Sequence, residues 1–233
     1  MSVVDRILYN GNIITQMEAG TVSALAIVGE RIVAIGADDE IIGLAGVDTV
    51  RENLGGKTVI PGITDAHIHW EMLSHSLQEV DIFEPPSKDA ALDSVAAKAA
   101  QLSAGSWITG WGWTQELWDG REFPTAADLD KVAPEHPVFL IAKSGHASWA
   151  NSLALRLVGI TASTPDPEGG QIVRDTTGQP TGVLLEIASE LVSERIPPYT
   201  IEQTADHMRH AQSLALASGM TGFHDFDEPS CLR

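Results

Sequence analysis

The stretch Val59-Ile60-Pro61-Gly62-Ile63-Thr64-Asp65-Ala66-His67-Ile68-His69 constrains this chain more than any other. Thr58 to Ile63 is β-branched and apolar, which reads as a strand, and Pro61-Gly62 bends it just before two histidines one residue apart. Side chains two apart on a strand share a face, so His67 and His69 are placed to reach one metal ion together. With eight histidines in 233 residues, a His-x-His triplet alone is weak evidence, and a hydrogen-bonded structural pair is the plain alternative. The apolar strand, the Pro-Gly bend and Asp65 two residues upstream favour ligation. His67 and His69 are therefore the candidate metal ligands.

Charge removes several partner classes. The chain carries 32 Asp and Glu against 14 Lys and Arg, a formal net charge of −18, and such a field repels nucleic acid and anionic membrane surfaces. Neither is expected as a partner. Cys231 is the one cysteine, which excludes a disulfide within the chain and fits a reducing, cytoplasmic compartment. No basic segment precedes an apolar run at the N-terminus, and no apolar stretch reaches the roughly 18 residues of a membrane span. Secretion and membrane insertion are not expected, and nothing in the sequence specifies an oligomeric state.

Residues 1–57 read as a small strand-rich unit. Ile7 and Leu8 are separated from Ile13 and Ile14 by Asn10-Gly11, a hairpin signal. Leu25 to Val28 and Arg31 to Ile35 form a second pair around Gly29-Glu30. A helix follows from Ser87 as N-cap through Leu92, Val95, Ala96, Ala99 and Leu102, with Gly105 past its end. Trp107 to Trp118 holds four of the six tryptophans, and Gly110 and Gly112 exclude a regular helix there. This stretch reads either as a packed insertion or lid, or as an apolar wall of a small-molecule pocket, with Trp113 the candidate pocket residue. Pro137 to Ala142 reads as a buried parallel strand, ending at Lys143-Ser144-Gly145-His146.

Trp149 to Val158 reads as a helix stopped by Gly159. Gly169-Gly170-Gln171-Ile172 and Asp175 to Gly178 suggest a hairpin in a surface excursion, and no Gly-rich loop with Lys and Ser or Thr supports nucleotide binding. Glu186 is the lone acid in the apolar block from Val183, so it is expected to cap a helix, meet a buried arginine or face a metal pocket. Thr200-Ile201-Glu202-Gln203 opens a helix as a capping box, on which His207 and His210 are expected to be surface histidines. Met220 to Phe226 reads as a strand with His224 and Asp225 near its end.

The histidine string resembles the first-strand signature of the amidohydrolase superfamily. Further blocks resemble its amidohydrolase 3, or YtcJ-like, branch in order: Gly110-Trp111-Gly112-Trp113, Pro124-Thr125 with Asp128-Leu129-Asp130, Pro137-Val138-Phe139-Leu140, Gly145-His146 with Asn151, Gly169-Gly170, and Thr181-Gly182-Val183-Leu184-Leu185-Glu186. The resemblance implies an α/β fold, here an incomplete (β/α)₈ TIM barrel over residues 58–233 with a Trp-rich insertion at about 70–136, preceded in 1–57 by part of a β-sandwich. It implies a divalent metal, expected to be zinc, held by His67 and His69, and a small-molecule substrate; beside the pocket candidate Trp113, His146 and Asn151 match the branch's Gly-His and Asn positions, where they would contact and orient the substrate or orient a loop, with a structural hydrogen-bonding histidine the plain alternative. A carboxylated Lys143 bridging two metals is the sharper alternative, but the resemblance places the family's bridging lysine on a later strand.

A barrel of this kind takes about 250 residues, and here its first strand begins only near Thr58. The chain is therefore expected to be the N-terminal part of a longer protein, with the bridging, proton-shuttling and remaining catalytic residues beyond Arg233. The implied activity is metal-dependent hydrolysis of a C–N bond, absent from this part alone. The competing readings are a ring deaminase of the same superfamily and a non-catalytic scaffold protein that has kept the fold.

Overall fold

The strand-rich beginning forms two sheets rather than one. The protein is represented by a computed structural model that describes residues 4–18 and 20–227; Cys231 lies outside them. Strands β1 (Arg6–Tyr9), β2 (Asn12–Ile14), β3 (Thr21–Val22), β4 (Ala24–Val28) and β5 (Arg31–Gly36) precede a short helix α1 (Asp38–Ile42), then β6 (Val50–Asn53), β7 (Thr58–Val59) and β8 (Ile63–Ile68). The sheets run β5-β4-β1-β6 and β3-β2-β7. Ile7, Ala24, Ala26 and Ile41 form the core of this region, because alternate strand positions and one face of α1 are apolar.

The β4–β5 hairpin forms as expected, with Leu25 opposite Ile35. The Asn10-Gly11 hairpin does not form. A two-residue type I′ turn needs positive φ at both central residues, whereas Asn10 adopts φ 56° and Gly11 does not follow it. Asn10 is instead held across the turn: its N–H donates to Asp38 Oδ1 at 2.9 Å and its side-chain amide to Asn53 Oδ1 at 2.8 Å. The turn hands the chain from one sheet to the other.

After α2 (Trp70–Ser76) come β9 (Val80–Asp81), α3 (Lys88–Ala99), β10 (Ile108–Trp113), α4 (Ala126–Val132), β11 (Val138–Ala142), β12 (Ala147–Ala150), α5 (Ser152–Val158), β13 (Gly170–Arg174), β14 (Pro180–Glu186), α6 (Glu190–Ser193), α7 (Ile201–Ala217) and β15 (Met220–Asp225). Ser87 caps α3 by accepting from Ala90 N–H at 3.1 Å, and Thr200 and Gln203 exchange the two hydrogen bonds of a capping box at α7. The sheet order is β13-β14-β12-β11-β10-β9, parallel from β9 to β11 and antiparallel beyond. β8 and β15 form a separate two-stranded sheet.

The described residues thus show a mixed α/β fold without a closed ring of parallel strands. Parallel neighbours need crossovers of a dozen or more residues; Lys143 to His146 is too short a link for that, so β12 turns back antiparallel to β11. The helix expected from Trp149 begins instead at Ser152. Trp149 is a strand residue with no exposed surface, and its indole N–H donates to Thr125 O at 2.8 Å. Within the tryptophan-rich stretch Ile108–Trp113 is a sheet strand that buries Trp113 but leaves Trp111 exposed: Gly110 sits where a Cβ would lie 2.7 Å from Val80 O, and Gly112, at φ 115°, marks the register shift against β11.

Contacts group Met1–Ala66 with Ala215–His224, and His67–Leu214 with Asp225–Arg233, as two compact units. The second is centred on Val95, Ile108, Trp113, Leu129, Leu140 and Trp149. Among the described residues no helix is long and apolar enough to cross a membrane.

Asp128 ties α4 into this second unit. Burial pushes its carboxyl up, but hydrogen bonds from Thr125 N–H and O–H, both 2.9 Å, and from the Lys88 ammonium at 3.2 Å outweigh burial and hold it below the usual aspartate value. A carboxyl lowered in the folded state contributes stability above its unfolded pKa of about 3.9 and loses it as pH falls through the folded value. Denaturant titrations followed between pH 7 and 3 are expected to fall below about pH 4, and Asp128→Asn to flatten that acid limb.

Candidate functional site

The two histidines close β8. Pro61-Gly62 delivers the chain to this strand, and Gly62 lies against Thr221 where no Cβ would fit. The His67 and His69 rings lie side by side, centroids 5.5 Å apart and planes at 70°, as strand periodicity requires. The His67 ring also stacks on Phe226 at 4.0 Å with planes 9° apart. His69 Nδ1 faces Asp227 Oδ1 at 3.2 Å. A carboxylate on one ring nitrogen fixes the tautomer and leaves Nε2 as the lone-pair donor.

The loop behind this pair is tied down by carboxylates. Asp227 also accepts the Glu71 N–H. Asp225 accepts the Trp70 N–H at 3.1 Å and the Asp227 N–H at 3.2 Å; the Trp70 bond is the largest of the effects that hold its carboxyl below the ordinary value. Phe226 N–H donates to Ile68 O at 2.8 Å. A cavity of about 1020 Å³ adjoins Asp227 and is walled by Glu71, His75, Glu79, Asp81 and Trp111.

These groups fit part of a metal site. Two imidazoles, one oriented by a carboxylate, are suitable donors, yet a hydrolytic metal takes about three protein ligands. Among the described residues no group of three His, Cys, Asp or Glu is arranged to hold an ion.

The remaining sequence candidates fall in different places. Trp113 is fully buried, stacked on Trp118 and edge-on to Trp149, with its indole N–H on Leu140 O at 3.0 Å. It lies beneath a cavity of about 680 Å³ lined by His146 and Glu186 but presents no surface to it, so it is a core residue rather than the pocket contact expected. His146 is exposed, and its Nδ1 lies 3.0 Å from Glu186 Oε2. Glu186 therefore neither caps a helix nor meets a buried arginine; its partner is this histidine.

Asn151 lines neither cavity. It is fully buried as the N-cap of α5, with its oxygen accepting from Val138 N–H and Ala154 N–H and its amide donating to Ala133 O and His136 O. All its hydrogen-bonding groups are spent inside the fold, so it orients a loop and does not face a ligand. Lys143 pairs with Glu84 and lies over the Phe83 ring at 5.5 Å. His224 is exposed on β15.

Sequence reasoning passed over two features. Asp227 is the first, although its alternation with Asp225 just past a strand is a usable signal. His207 is not the surface histidine expected: its ring packs against Tyr199 at 4.7 Å and His75 at 5.5 Å, and burial is the main effect that lowers its pKa. Nothing local in the sequence announces that cluster, since its members come from α2, α7 and the segment before α7.

Comparison with known proteins follows this geometry. The amidohydrolase family's sequence model matches residues 52–231. Protein LONG AFTER FAR-RED 3 of Arabidopsis thaliana is 36% identical over 222 residues, covering 94% of this chain and 38% of that protein. An N-substituted formamide deformylase of Arthrobacter pascens is 38% identical over 191 residues, covering 81% of this chain and 35% of the relative. The crystal structure of an uncharacterized metal-dependent hydrolase from Pyrococcus furiosus matches with a TM-score of 0.72 at 26% identity, over 95% of this chain and 44% of that one. The chain spans about two fifths of the length of these relatives. With a match over most of its residues and over the strand that carries both histidines, the chain belongs to the amidohydrolase family.

Proposed function

We propose that the protein is a metal-dependent hydrolase of carbon–nitrogen bonds other than peptide bonds, and that this chain is the N-terminal part of a longer, cytoplasmic polypeptide. The observation that carries the reading is the adjacency of His67 and His69 at the end of β8, with Asp227 on His69 Nδ1. Family membership and the deformylase relative support the reaction class. In this reading both histidines hold a divalent cation, zinc by its preference for imidazole, and later segments form further strands of a (β/α)₈ barrel that contribute the remaining ligands and a proton-shuttling carboxylate beyond Arg233. A cation held there supplies Lewis acidity, which polarises an amide-type carbonyl and acidifies water. The chain's own contribution is to present two imidazoles on one strand face, with the His69 ring oriented by Asp227.

The test is metal content and hydrolysis of N-substituted formamides by the longer polypeptide and its variants. His67→Ala and His69→Ala are expected to lose bound metal and hydrolysis together, while Asp227→Asn weakens metal affinity by about 10- to 100-fold. Both histidines have exposed or half-exposed side chains, so far-ultraviolet circular dichroism should stay unchanged. Undiminished metal-dependent turnover in the double histidine variant would refute the assignment.

A further inference from the structure

We propose that the cavity between Trp113, His146 and Glu186 is a binding site for a small ligand with an apolar or aromatic body and a cationic amidinium or ammonium head, recognised by the Glu186 carboxylate. This site takes in Trp113 and His146, the substrate contacts that the family resemblance implies, so the proposal rests on that reading and names its ligand class, while its test requires neither His67 nor His69.

Three observations carry it. The first is shape and charge. The cavity measures about 680 Å³, within the range of small-molecule sites, and its charged walls are Glu116 and Glu186, with no lysine or arginine among the lining residues. Its accessible apolar walls are Phe123 and Leu185, with Trp113 and Ala147 buried beneath the surface. A cation with a flat apolar body is complementary on both counts, whereas an anion would meet two carboxylates.

The second is backbone strain. Glu186 adopts φ 50°, ψ −133°, a conformation that L-residues rarely hold. Such strain costs on the order of 1–3 kcal/mol and persists only where surrounding contacts enforce it. Here the Glu186 N–H donates to His146 O at 2.9 Å and the carboxylate meets the His146 ring, so backbone and side chain are both fixed.

The third is how the opposite wall is built. Gly170 pairs with Glu186 across β13 and β14, and a Cβ at Gly170 would collide with the Ala188 backbone. The close approach of that segment to the strained turn therefore requires glycine, and Gly170 itself lines the cavity. Since one carboxylate oxygen, Oε2, bonds to His146, the bidentate face of an amidinium would either share it or displace the imidazole, whose side chain is exposed.

The test is calorimetric titration of the 233-residue chain, in metal-free buffer, with benzamidine, benzamide and benzoate, which share one shape and differ in charge. Benzamidine is expected to bind about tenfold more tightly than benzamide, as one charge-assisted pair provides, and benzoate not to saturate. Glu186→Gln should remove the benzamidine preference and leave benzamide binding unchanged. His146→Ala, which frees the carboxylate, should keep or raise benzamidine affinity. Equal binding of the three ligands, no saturable binding by benzamidine, or a benzamidine preference that survives in Glu186→Gln would overturn the proposal. If Glu186→Gln fails to fold, the ligand series on the unaltered chain and His146→Ala decide it. Loss of the hydrolase assignment through the His67 and His69 variants would leave these titrations unaffected.

Discussion

Trp113→Ala is expected to lower the unfolding free energy by about 3–5 kcal/mol, the range for removing a large buried aromatic. The ring has no exposed surface. It contacts Trp118 and Trp149 with centroids 5.9 and 6.1 Å away, and those two rings are themselves fixed by indole hydrogen bonds to Pro85 O and Thr125 O. Neighbours pinned in this way cannot collapse into the space left behind, which puts the cost toward the upper end of the range. The substitution also removes the donor to Leu140 O inside the sheet. Trp113→Phe keeps most of the volume and should cost clearly less. Equilibrium denaturation in urea measures both; a loss below about 1 kcal/mol for Trp113→Ala would contradict a core role.

Asn151→Ala is expected to cost about 3–4 kcal/mol, although it removes only a small amide. Its four hydrogen bonds reach Val138 N–H at 3.0 Å, Ala154 N–H at 2.9 Å, Ala133 O at 3.3 Å and His136 O at 2.8 Å. The substitution strands the Val138 and Ala154 N–H groups and His136 O, whereas Ala133 O keeps the His136 N–H at 3.3 Å; each unsatisfied group costs about 1–3 kcal/mol, with partial relief from relaxation. Loss of the N-cap alone accounts for about 1 kcal/mol. Asn151→Asp keeps both acceptor contacts but sets a carboxylate against two carbonyls, so it should not rescue stability. Faster amide hydrogen exchange at Val138 and Ala154 would locate the damage. An Asn151→Ala variant of unchanged stability would return this residue to ligand contact.

What the sequence made legible follows the range of the forces involved. The Ser87 and Thr200 caps, the β4–β5 hairpin and the β13–β14 hairpin are decided by a few neighbouring residues, and all four could be read directly. The pairing of His67 with His69 was equally readable, because strand periodicity sets it within three residues. Asn10-Gly11 was misread because its outcome depends on Asp38 and Asn53, 28 and 43 residues away. Trp149 was misread because its apolar neighbours suit a helix or a buried strand equally well, and the distant acceptor Thr125 O favours the strand. The Glu186–His146 pair spans 40 residues and joins the end of β14 to the bend before β12; composition around Glu186 showed that a partner was required without showing which one.

The placement of the indoles has an optical consequence. All six tryptophans, at 70, 107, 111, 113, 118 and 149, fall in the second compact unit, and none in residues 1–66 or 215–224. Intrinsic emission excited at long wavelength therefore watches one unit melt and is blind to the other, which far-ultraviolet ellipticity reports together with the first. If the two traces separate on heating, the chain does not unfold in one cooperative step, and a single melting temperature would describe neither half.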